Sequence, residues 1–77
     1  MALKFDKYVG PWGRYSQAPS GSFKCTASGK AYVVINLSVG DYSLNVRDLN
    51  KSGSTFLRIG SFSSAAKAKQ AIKLLAK

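Results

Sequence analysis

Polar and apolar residues alternate from Tyr42 onward: Tyr42, Leu44 and Val46 form one set, and Ser43, Asn45 and Arg47 the other. A period of two predicts a strand half-buried on one face. A second run has Leu57 and Ile59 as its apolar set, with Phe62 just beyond, and Phe56, Arg58 and Gly60 opposite. Between them, Asp48 to Ser54 is rich in turn formers, which predicts a hairpin with a loop longer than two residues. After Phe62 the period changes. Ser63 or Ser64 can cap a helix start, and Ala65, Ala68, Ile72 and Leu75 recur at steps of three and four. That stripe predicts a helix over 64–76 lying across one face of the sheet, with the small alanines letting it sit close. Beside the stripe, Lys69, Lys73 and Lys77 form an i, i+4 row of like charges, which repel slightly.

Upstream, Ala31 to Leu37 is the strongest strand, rich in β-branched residues. Val33, Ile35 and Leu37 would form one face, and Tyr32, Val34 and Asn36 the other. Both faces are fairly apolar, which places this strand centrally. Ser38 to Asp41 turns the chain into Tyr42, Phe23 to Thr26 is a short strand, and Ala27 to Lys30 a turn. Residues 3–9 alternate loosely and read as an edge strand or an ordered arm. Gly10-Pro11-Trp12-Gly13 breaks regular structure, and 14–22 read as loop. Trp12, Arg14 and Tyr15 leave two options: an arm reaching a nucleic-acid backbone, or aromatics plugging a small core. The expected fold is therefore α+β, an antiparallel β-meander of three or more strands with one C-terminal α-helix packed on one face. The 77 residues make a single domain, with an N-terminal strand or arm and loop over 1–22 and the sheet and helix over 23–77.

Charge changes the picture. Twelve Lys and Arg stand against three Asp and no Glu, for a net +9. A surplus of that size repels itself in a compact chain and points to an anionic partner, nucleic acid first. The chain holds no histidine and one cysteine, Cys25, so zinc sites, disulfides and histidine bases are not expected, and Cys25 reads as a small buried hydrophobe. Of the carboxylates Asp6, Asp41 and Asp48, the last two fall at opposite ends of one strand, about 20 Å apart by strand rise, too far to share acid–base work. Catalysis, cofactors and small-molecule substrates are not expected. Neither a signal peptide nor a long apolar run is present, which predicts an intracellular, cytoplasmic protein without membrane contact.

The segment NVRDLNKSGSTFLRIGSFSSAAKAKQAI, Asn45 to Ile72, resembles the plant ethylene-response-type DNA-binding domain. It is similar also to the small N-terminal DNA-binding domains of phage and transposon tyrosine integrases. The shared pattern is Asn45-Val46-Arg47-Asp48 before a Gly-containing loop, then Leu57-Arg58-Ile59-Gly60-Ser61-Phe62 and a helix carrying Ala65 and Ala68. The resemblance implies a three-stranded sheet backed by one helix and laid in the major groove of duplex DNA. It implies Arg47, Arg58, Asn45 and Phe56 as groove-facing positions, and Val46, Leu57, Ile59 and Phe62 as core. The aromatic that the plant family carries at 58 is Arg here, and the strand Ala31 to Leu37 offers Tyr32 and Asn36 where that family has arginines. Lys24, Lys30, Lys51 and Arg14 are candidate phosphate contacts. Two other readings stand beside duplex binding. One is a phage-type inhibitor docking on an acidic or nucleic-acid-binding surface of a host protein. The other is single-strand binding with Trp12, Tyr32 and Phe56 as stacking platforms.

Overall fold

The computed structural model describes residues 3–14 and 16–76. Its elements are β1 (Asp6–Lys7), β2 (Phe23–Ala27), β3 (Lys30–Ser38), β4 (Asp41–Asp48), β5 (Leu57–Phe62) and α1 (Ala65–Leu75). The strands form one antiparallel sheet in chain order, with β3 at its centre. The fold is α+β as expected, with a larger sheet than the three strands that alternation marks most clearly.

Register decides which side chains share a face. Cys25 stands opposite Tyr32, Tyr32 opposite Val46, and Val34 opposite both Phe23 and Leu44. Directly opposed residues of antiparallel strands point the same way, so these six share one side, and α1 packs there through Ala68 and Ile72. Phe5, Tyr42, Phe62 and Ala65 close the margin of this core. Tyr32 therefore lies beneath the helix and is no outer-face platform.

Turn chemistry holds the register. Ser28 and Gly29 link β2 to β3, and both have positive φ, 53° and 74°. Two such residues make the primed turn whose twist suits a two-residue hairpin. The Ser28 hydroxyl also donates to the Ala76 carbonyl at 2.8 Å, which ties the end of α1 to this turn. At its other end, Ser64 caps α1 by accepting from the Lys67 amide at 3.2 Å.

Three residues expected in the core are not there. Leu75 is 52% exposed in the last turn of α1, while the smaller Ala71 and Ala76 pack against the core instead. Leu57 and Ile59 are 65% and 47% exposed. For Ile59 the reason is a bulge in β5: Leu44 pairs with Gly60, but Asn45 pairs with Arg58, leaving Ile59 without an opposite number. The extra residue resets the alternation, so Gly60 and Phe62 both face the helix. Leu57 keeps the helix-side direction, opposite Val46, at a corner that α1 leaves uncovered.

Candidate nucleic-acid interface

The second face of the sheet carries Lys24 on β2, Ala31, Val33 and Ile35 on β3, Ser43, Asn45 and Arg47 on β4, and Arg58 and Ser61 on β5. Its centre is not open. Val33, Ile35, Ser43 and Asn45 are all buried, although the helix lies on the opposite side. With α1 on the other side, the ring contacts point to the segment between β1 and β2 as the cover. The Tyr8 amide donates to the Ser22 carbonyl at 3.1 Å beside the edge of β2, and the Ala18 amide to the Gly10 carbonyl at 2.8 Å, which closes the segment on itself. From there the Tyr8 ring meets Trp12 edge-on at 6.1 Å between centroids. Trp12 in turn meets Phe56, just before β5, at 5.2 Å. The row of rings thus runs from the β2 side of the sheet to β5. Of the two options for this segment, Trp12 follows the plug, though on the face away from α1; Tyr15 lies outside the described residues.

This cover corrects the expectation for Asn45. At 5% exposure, its side-chain amide donates to the Val33 carbonyl at 3.4 Å and the Ser43 carbonyl at 3.1 Å. A buried amide spent on the backbone has none to offer a base edge. Phe56 and Trp12 are neither fully buried nor fully exposed.

The cations divide into two groups. Arg47 and Arg58 are exposed at the β4–β5 margin of the second face. Arg58 stands opposite Asn45, and Arg47 lies two residues further along β4, a diagonal of about 7–8 Å. The Arg58 guanidinium donates to the Ser61 hydroxyl at 3.2 Å, which orients it along β5. Lys24 shares this face, and Arg14 is exposed within the covering segment. Lys30 and Lys51, by contrast, line a shallow pocket of about 430 Å³ with Val46, Asp48 and Leu57, at the corner of the helix-side face that α1 leaves bare. They cannot join the arginines on one surface.

Register also shows which cations stand across from a carboxylate. Asp6 stands across from Lys24, and Asp48 across from Lys30. The cross-strand neighbours of Arg47 and Arg58 are Ala31 and Asn45, both neutral. Sequence reasoning took these four cations together, because pairing register is invisible before the strands are aligned.

Cys25 is buried beneath the helix, and burial, with the Asp6 charge adding to it, pushes its thiol above the ordinary value. Among the described residues, no group of three or more His, Cys, Asp or Glu is placed to hold a metal ion, and no helix is long and apolar enough to cross a membrane. No protein-family model matches the chain, and neither a curated protein nor a solved structure is significantly similar to it.

Proposed function

We propose that this chain binds nucleic acid, gripping the phosphodiester backbone with the face of the sheet opposite α1. The observation that carries this reading is Arg47 and Arg58, exposed on one face across from neutral residues in a chain of net +9. Guanidinium groups bind phosphate in a fork geometry, and cations left without carboxylates are available to do so. The local resemblance of Asn45 to Ile72 to sheet-type DNA-binding domains supports the same class of partner. It does not support laying the sheet face flat in a groove. The centre of that face, Val33, Ile35, Ser43 and Asn45, is buried.

A salt titration of binding tests the reading. Each phosphate contact released contributes about 0.9 to the slope of log affinity against log salt on duplex and about 0.7 on single strands. The double change Arg47→Ala/Arg58→Ala is expected to lower affinity for every sequence and reduce that slope by about one to two units. Lys24→Ala and Lys30→Ala, each beside an aspartate, are expected to change it less. Affinity unmoved by the double change at physiological salt would remove this surface from consideration. No binding at low salt would transfer the +9 charge to an acidic protein partner.

A further inference from the structure

The row of rings on the second face bears on which form of nucleic acid binds there. Trp12 and Phe56 meet at 5.2 Å with planes tilted by 58°, and both stay partly exposed. Phe56 sits directly before β5, two residues from Arg58, and Arg58 and Arg47 both point to the second face. Partly exposed aromatic rings and cations without carboxylates thus share one margin of the molecule.

A duplex cannot use the rings. Its bases are stacked on each other and offer only their edges in the grooves, so an aromatic surface gains little there. A single strand offers free base faces, and stacking on side-chain rings is how proteins hold it without reading sequence, with cations following the backbone.

We propose that the Trp12–Phe56 pair, flanked by Arg47 and Arg58, is a stacking platform for unpaired bases, so that the ligand of this face is single-stranded nucleic acid rather than duplex. This rests on the nucleic-acid reading above and narrows it. The segment between β1 and β2 then delivers Trp12 to Phe56, beside the arginines.

The test uses the single tryptophan, Trp12, as its own reporter. The intact chain is titrated with an oligothymidylate single strand and with a mixed-sequence duplex of equal length at matched salt, following indole emission and, separately, anisotropy of a labelled oligonucleotide. The expected result is quenching by the single strand and not by the duplex, with tighter binding of the single strand. Phe56→Ala is expected to weaken single-strand binding roughly 5- to 150-fold, the range for losing one stacked base, and to leave duplex binding little changed. Trp12→Phe keeps a ring and is expected to retain most of the affinity. Equal binding of both forms with unmoved emission would overturn the platform and leave the phosphate-gripping face standing. Binding of neither form would overturn both. The emission measurement needs no variant, so a substitution that fails to fold does not spoil it.

Discussion

Ile72 and Leu75 lie three residues apart in α1 on one apolar stripe of the sequence, yet they differ in what surrounds them. Ile72 is fully buried against the sheet, and Leu75 is half in solvent. Ile72→Ala is expected to cost about 2–5 kcal/mol, transfer plus cavity, and Leu75→Ala no more than about 0.5 kcal/mol, by urea unfolding. Equal losses would mean that α1 packs in another rotation. A second pair, Cys25 and Tyr32, stands opposed under the helix, and burial raises both above their ordinary values of 9.0 and 10.0. Each is neutral when protonated, so the folded state holds its proton more tightly than the unfolded state does. Their contribution to stability is therefore complete below pH 9.0 and lost as pH rises through the raised values. Unfolding free energy is expected to fall from about pH 9 upward, and Cys25→Ala to remove the earlier part of that fall. A flat profile between pH 8 and 11 would contradict the burial of both groups.

Elements are held at their ends. α1 has no acidic residue in its first turn, so its orphan amides depend on Ser64. Ser64→Ala is expected to cost about 0.5–2 kcal/mol in thermal or urea unfolding, and Ser64→Asp to restore much of it. The lysine row along α1 also finds a structural use. The Lys69 ammonium sits 5.3 Å from the Phe5 ring centroid and 5.2 Å from that of Phe23, where cation–π attraction helps hold the helix to the β1–β2 side. Lys77, the last of that row, lies outside the described residues. In β5 the bulge at Ile59 works at the same scale. It lets one short strand direct Arg58 to the second face and still return Phe62 to the core.

At the scale of the whole molecule, a net +9 on 77 residues is a standing repulsion. The Debye length falls from roughly 30 Å at 0.01 M salt to about 8 Å at 0.15 M. The melting temperature of the free protein is therefore expected to rise with added salt, while its affinity for nucleic acid falls. A melting temperature that falls with salt would mean attractive pairs outweigh the surplus. The sheet is a single layer with α1 on one side, and the segment before β2 is tied to the domain through the Tyr8–Ser22 backbone bond and the Trp12–Phe56 ring contact.

Local patterning carried the elements. The alternation of Tyr42 to Arg47, the β-branched run of Ala31 to Leu37 and the Ser64 cap each state their own conformation, because backbone sterics and side-chain period act within a few residues. The apolar character of both faces of β3 pointed to a central strand, and β3 is the middle strand of the sheet. The bulge at Ile59 is not visible in the sequence, where Leu57, Ile59 and Phe62 form one expected core set. What covers the second face was not legible. Trp12 reaches Phe56 across 44 positions of chain, and no local rule encodes a contact at that separation. Nor did the sequence show that Asn45 is spent on backbone carbonyls, or that Asp6 and Asp48 stand across from Lys24 and Lys30 while Arg47 and Arg58 face neutral neighbours. Those outcomes depend on register and on burial by distant segments, and only the assembled sheet decides them.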